Sequence, residues 1–543
     1  MKINFLGAAK VVTGSSYLIE TKDIKIMIDC GMFQGSHELE QLNYENFDFD
    51  PKEIDYLVLS HAHIDHSGRI PKLVKEGFKG RIFCTKATYD LSQIMLVDSG
   101  HIQESDVKWE NHKRERMGKP PISPLYTAED AEKSLKLFEP YLYNQAIDPS
   151  PYFGFRFRDA GHILGASIIE LWIKEDNKQV KIVFSGDLGM KNKPILNDPT
   201  MIEKADYVIM ESTYGDRLHS DLSKSASELV EIINNTVSKG GTVVIPSFAV
   251  SRTQELIYEL NKYYEYTEDL ETFMRIPIYI DSPMAVSATE VYRENSYCFN
   301  DEAKNLIMSG DDPFAFENLH YVRSQEESMR LNKSTYPKVI ISASGMCEAG
   351  RVRHHLKHNL WKGKNSVVFV GYQAMGTLGR KLKEGAKKVH LLGENIAVNA
   401  NIYSVEGFSG HADVSGLTDW FSGFKSMPRK VFITHGEELS ANSFAKHISE
   451  TFGIETYVPN LGDSIDLIDE NIFTERSELN DIIKRKENII CELQEVYNQF
   501  ENIAGKSKQI IDNKTLASDY DIIYNKLLDL QKQLLDLNII LGT

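Results

Sequence analysis

Cysteine is scarce in this 543-residue chain. Its five cysteines, Cys30, Cys84, Cys298, Cys347 and Cys491, are odd in number and widely spaced, and no Cys-x-x-Cys pair occurs. That pattern argues against a disulfide framework or a thiolate zinc knuckle and fits a reducing cytosol. Any bound metal then falls to histidine and carboxylate. No run of eighteen apolar residues occurs, so no segment is expected to span a membrane. The opening Met-Lys-Ile-Asn-Phe-Leu-Gly lacks the basic start and apolar core of a secretory signal, and a cytoplasmic location is expected. Short tandem repeats and low-complexity linkers are missing as well. So is positive charge: the formal net charge is −17, which taken alone argues against a nucleic-acid partner.

One stretch departs from that average. Residues 338–388 hold eleven Lys or Arg against two acids, Glu348 and Glu384. The bland reading is a solvated helical face; the sharper one is a phosphate-binding surface. The chain is too long for one core and predicts two to four units. Apolar runs at 24–28, 56–59, 180–184 and 207–210 alternate with helical stretches such as 126–138, which implies an α/β layered domain over 1–215. Residues 216–395 repeat the alternation with strands near 242–245, 276–280, 339–341 and 366–370 and read as a second α/β domain. One more strand follows it at 429–433. From 473 to 543 apolar residues recur at three- and four-residue steps, the pattern of a helical hairpin or coiled-coil arm suited to packing or to homodimer formation.

The candidate chemistry sits at strand ends. Strand after strand runs into a residue able to hold a metal: Asp29, His61, Asp187, Glu211 and His435. In open α/β sheets ligands bind at the carboxyl ends of strands, and five such residues obeying one rule are hard to explain by packing. His61-Ala62-His63-Ile64-Asp65-His66 is the densest item. His61 and His63 are two apart and can point the same way from an extended loop, while Asp65 and His66 point differently, so one loop can feed two metals. Imidazole and carboxylate are the ligands zinc takes in hydrolytic sites. Asp187, in Ser185-Gly186-Asp187-Leu188-Gly189, suits a bridging carboxylate. His162, in Gly161-His162-Ile163-Leu164-Gly165, is also flanked by glycine; each alone reads as a turn residue.

On these residues the chain resembles the metallo-β-lactamase fold superfamily, whose signature is His-x-His-x-Asp-His followed by a distant His and a distant Asp. Three further stretches resemble its β-CASP branch, which acts on nucleic acids: Glu211-Ser212-Thr213-Tyr214-Gly215, Phe408-Ser409-Gly410-His411-Ala412-Asp413, and His435-Gly436-Glu437. The insert after Glu211 matches the branch in position and length, and carries phrases similar to it at 246–254, 281–285 and 342–346. The resemblance spans roughly residues 1–465 and implies that 216–395 are inserted and that 396–472 return to the first domain.

It implies an αββα sandwich with an inserted β-CASP domain, and a zinc-dependent ribonuclease acting on single-stranded RNA to leave 5′-phosphate and 3′-hydroxyl ends. One zinc ion would take His61, His63 and His162, a second Asp65, His66 and His435, with Asp187 bridging. Asp29 would orient a ligand, His411 would act as general acid, an imidazole near neutrality suiting that task, and Glu211 would hold or tune it. For grip on the RNA, Ser342-Ala343-Ser344-Gly345-Met346, ahead of Arg351, and Gly376-Thr377-Leu378-Gly379-Arg380 offer backbone N–H groups to phosphate. Ser247 and Arg252 are further candidates. His354, His355 and His358 read as surface or groove residues. Alternatives are a DNA-acting nuclease of the same branch, a small-molecule (thio)ester hydrolase, and a catalytically silent RNA-binding scaffold.

Overall fold

Burial on both faces makes strands read as unbroken apolar runs, and this explains the central elements. Tyr207–Glu211 is buried along its whole length and Lys430–Thr434 along all but its first residue, and the two pair in parallel. The computed structural model describes residues 1–467 except 177, 220–221, 267–275, 375 and 406, together with residue 526. The expected C-terminal helical arm lies outside the described residues.

Two sheets, each with seven described strands, pack face to face. In the first, Lys2–Phe5, Tyr17–Glu20, Lys25–Ile28, Tyr56–Val58 and Arg81–Thr85 lie side by side. In the second, Lys430–Thr434, Tyr207–Glu211, Lys178–Phe184, Ser167–Glu175 and Phe153–Asp159 follow one another. Their inner faces meet through aromatic residues: Phe5 against Phe432, Tyr17 against Phe184, Phe83 against Phe155. Helices cover the outer faces, with Leu57, Leu59, Ile70, Leu73 and Leu96 forming one outer core. This is the αββα sandwich.

The third sheet runs Leu319–Tyr321, Ile278–Ile280, Lys338–Ser342, Thr242–Pro246, Ser366–Phe369, Asn401–Ser404, and its pairings are parallel. It extends past the expected boundary at 395, because Asn401–Ser404 pairs with Ser366–Phe369. The helix expected over 126–138 is Ala128–Leu135. A capping box between Thr127 and Asp130 starts it, and Phe138–Tyr141 leaves it as a strand. Helix Lys86–Arg116, 31 residues long, had no clear period to announce it; its buried residues, from Ala87 to Gly100, occupy only the first half.

Candidate metal centre

The two sheets leave several strand ends on one rim. Asp29 follows Lys25–Ile28 in a left-handed conformation, φ 55°, and His435 follows Lys430–Thr434 with φ 49°. Non-glycine residues occupy that region at a cost and cluster at functional sites. Asp29 accepts hydrogen bonds from the Ser60 N–H at 2.7 Å and the Ser60 hydroxyl at 2.8 Å. Ser60 thereby aims the loop that begins at His61. The short helix Ile64–Ser67 carries Asp65 and His66. Gly31 lets the first loop lie against it: a Cβ there would sit 1.6 Å from the Asp65 carbonyl oxygen.

Two groups of donors converge. In one, Nε2 of His61 and Nε2 of His162 each stand 3.2 Å from Nδ1 of His63. In the other, Nε2 of His66 and of His435 are 3.0 Å apart, and Asp65 Oδ2 lies 3.5 Å from His435 Nε2. Asp187 lies between them and divides its carboxylate. Oδ2 faces His61 at 3.4 Å and His162 at 3.6 Å, while Oδ1 faces His66 at 3.2 Å and His435 at 3.6 Å. Most of the cluster is buried; His63, partly exposed, and Asp65 and His411, about one-fifth exposed, form its open side.

The outer ring nitrogens are occupied. His162 Nδ1 donates to the Gly410 carbonyl at 3.0 Å, and His66 Nδ1 lies 2.7 Å from Asp29 Oδ2. The Thr213 hydroxyl gives its hydrogen to the His435 carbonyl and receives His435 Nδ1–H at 3.2 Å. Each of these bonds leaves Nε2 with its lone pair toward the cluster, the tautomer a metal requires. Thr213 and Gly410 lie inside the stretches that carry the β-CASP resemblance, but nothing in the sequence marks the hydroxyl of one and the carbonyl of the other as partners of His435 and His162.

Burial holds His61, His63 and His162 below the ordinary imidazole value, His63 at about 3, so all three are neutral donors near pH 7. Burial works against protonation of His66 too, but the charges of Asp187 and Asp29 lift it well above; a bound dication would take the place of that proton. His411 lies beside the cluster, its Nδ1 3.1 Å from Glu211 Oε2 and its ring 4.5 Å from that of His162. Burial pulls His411 down, yet Glu211 more than reverses this and pushes it up to about 9, above the near-neutral value expected.

The residues expected to grip phosphate divide. Arg380 is half-buried beside Glu384 and lines a cavity of about 200 Å³ with Tyr214, Arg217, Tyr372, Lys383 and Ser409. Thr377 caps the helix Leu378–Lys383 by accepting the Arg380 N–H. The Ser344 hydroxyl bonds Ala349, and Gly345 packs on Phe248. Ser247 does not face solvent: it is 1% exposed and hydrogen-bonded by Thr253, because the turn folds back on the helix Arg252–Tyr266. Arg252 is also buried, bonding Glu255 while its Nε finds no partner. Arg351 is held by Asp281 at 2.6 Å. His355 is no surface residue. It is fully buried, 2.6 Å from the same Asp281, whereas His354 and His358 are exposed.

Residues 9–127 match the metallo-beta-lactamase superfamily, 253–382 the Beta-Casp domain, and 395–459 the Zn-dependent metallo-hydrolase RNA specificity domain. Over 438 residues the chain is 38% identical to a protein of Thermus thermophilus named Ribonuclease TTHA0252, covering 81% of this chain and 94% of that one. The chain belongs to the β-CASP family of the metallo-β-lactamase superfamily. Two other β-CASP relatives, both from Methanocaldococcus jannaschii, are 32% identical: an RNase J-like protein, covering 85% of this chain and 98% of its own length, and Transcription termination factor FttA, covering 86% and 71%.

The β-CASP site fits a metal cofactor on its own geometry. Both Asp187 oxygens are buried without a hydrogen bond, a costly state that a cation relieves. Ligands about 2.0–2.1 Å from a tetrahedral zinc ion stand about 3.3–3.4 Å apart, close to the 3.2 Å between the converging nitrogens. The donor set is nitrogen and oxygen, and the described cysteines are buried elsewhere.

Proposed function

We propose that this β-CASP protein is a ribonuclease that uses two zinc ions to hydrolyse phosphodiester bonds in single-stranded RNA, leaving 5′-phosphate and 3′-hydroxyl ends. The observation that carries the reading is the divided carboxylate of Asp187, one oxygen toward each group of imidazoles. His61, His63 and His162 would hold one ion, Asp65, His66 and His435 the other, with Asp187 shared. When bound, such a pair lowers the pKa of water and polarises a phosphoryl group.

The chain's own residues do the rest. Asp29, Gly410 and Thr213 fix the ring orientations through the outer nitrogens. His411, with Nδ1 on Glu211, keeps Nε2 free to give a proton to the leaving 3′-oxygen. The cavity at Arg380 and the turns at Ser344, Gly345 and Thr377 hold the flanking strand, and its aromatic and cationic lining suits a single-stranded backbone. Within this reading residues 1–215 and 405–472 form the hydrolytic domain and 216–404 the inserted one. The protein works in the cytoplasm, and the segment 473–543 serves self-association.

Digestion of end-labelled RNA by zinc-loaded protein tests the reading, with 5′-phosphate and 5′-triphosphate forms compared and matched DNA and a thioester as controls. Fragments bearing 5′-phosphates are expected. Cleavage of DNA alone, of the thioester alone, or RNA binding without cleavage would each replace the proposal with the corresponding alternative.

A further inference from the structure

Lys193 and Glu255 form an ion pair at 2.7 Å with both side chains at most 5% exposed. Lys193 lies in the loop after Lys178–Phe184, in the two-sheet part; Glu255 lies on Arg252–Tyr266, in the inserted part. The pair joins the two halves beside the metal centre. Two opposite charges taken out of water cost desolvation, and apolar residues would fill the same space as well or better. The contacts of the ammonium suggest what the pair is for. Lys193 Nζ also lies 3.3 Å from the carbonyl oxygen of His162 and 3.5 Å from that of Gly410. The Gly410 carbonyl is the group that receives His162 Nδ1–H, and Gly410 is bonded to His411. The fit there is close: a Cβ on Gly410 would stand 3.1 Å from His162 Cε1.

We infer that Lys193 and Glu255 are positioning residues: through them the inserted domain sets the Gly410 carbonyl, and with it the ring of His162 and the placement of His411. Glu255 also receives Ser251 and the guanidinium of Arg252, so one carboxylate on the inserted helix fixes Lys193 and Arg252 together. The turnover part of this inference rests on the ribonuclease reading; the metal-retention part does not.

The test uses the full chain with Glu255→Gln, Lys193→Met, and the double variant Lys193→Met/Glu255→Met, which removes both charges while keeping volume. In each, kcat on a short labelled RNA is expected to fall at least about tenfold with KM near the parental value, and zinc release to a chelator to speed up at least about tenfold, the scale of losing support around a ligand. The double variant still leaves the buried Arg252 without its carboxylate, so its Tm is expected to fall, and all rates are compared at a temperature where each variant is fully folded. Lys193→Arg should restore part of the rate. A double variant with parental kcat and parental zinc release would overturn the inference, as would single variants whose losses follow only their unfolded fraction. If the parent itself cleaves no RNA, the ribonuclease reading fails and the zinc-release comparison alone decides the positioning pair.

Discussion

Nδ1 of His66 lies 2.7 Å from Oδ2 of Asp29, across 37 residues of chain. The carboxylate keeps a proton on Nδ1 and turns Nε2 toward His435 and Asp187. The same oxygen takes the Ser60 hydroxyl, so Asp29 aims both ends of the hexapeptide. Asp29→Ala should weaken zinc binding by about 10–100-fold, the usual cost of losing such a partner. Competition against a chromophoric chelator measures it; parental affinity would mean that the loop is aimed by its backbone alone.

His63 and His411 are expected to separate by metal content. His63→Ala should abolish hydrolysis and lower zinc per chain, whereas His411→Ala should keep both ions and lose about 10²–10⁴ in turnover, the range for general acid catalysis. Elemental analysis beside single-turnover kinetics distinguishes them. Loss of metal from the His411 variant would make His411 a ligand.

Stripping the metal should lower Tm, because binding to the folded state alone stabilises it by mass action. Calorimetry before and after chelation, with zinc added back, checks this. The shift should vanish in His63→Ala/His435→Ala.

Asp281 predicts a pH dependence. Burial pushes its carboxyl up, but hydrogen bonds from His355, Ser328 and Arg351 hold it below the usual carboxylate range. A depressed folded value gives stability that is complete above the unfolded value, about 3.9, and that fades as pH falls through the folded one. The parent should therefore lose Tm below about pH 4 more steeply than Asp281→Asn. At neutral pH the variant should be less stable by on the order of 3–5 kcal/mol, because Arg351 and His355 lose their partner. Thermal melts from pH 3 to 7 measure both effects.

Arg380 tests the grip on RNA. Arg380→Ala should weaken binding about equally for all sequences and reduce the salt slope by about one, as for loss of one phosphate contact. Filter binding at a series of salt concentrations checks this.

The metal cluster was readable because its ligands obey a local rule. His61, Asp187, Glu211 and His435 each end or follow a strand that hydrophobicity reveals, and the hexapeptide needs only its own spacing. The surroundings of the residues expected to contact phosphate were harder to foresee. Ser247 and Gly345 stand in turns whose direction depends on which helix they fold against. Arg252, Arg351 and His355 are held by acids that the sequence does not mark as partners; Asp281 lies 74 residues from His355. The helix Lys86–Arg116 escaped because its second half is solvent-exposed, so no continuous apolar stripe marks it.

The parallel pairing of Lys430–Thr434 with Tyr207–Glu211 also fixes a schedule. His435 faces His66 across 369 positions of sequence. At about 5–20 residues per second the ribosome needs roughly 20–75 s to travel that distance. Throughout this interval the nascent chain has its hexapeptide but not the strand that supplies the last imidazole. Under the proposed function, a protein still being translated would hold only part of its metal cage, and its chemistry would begin only after most of the chain has been made.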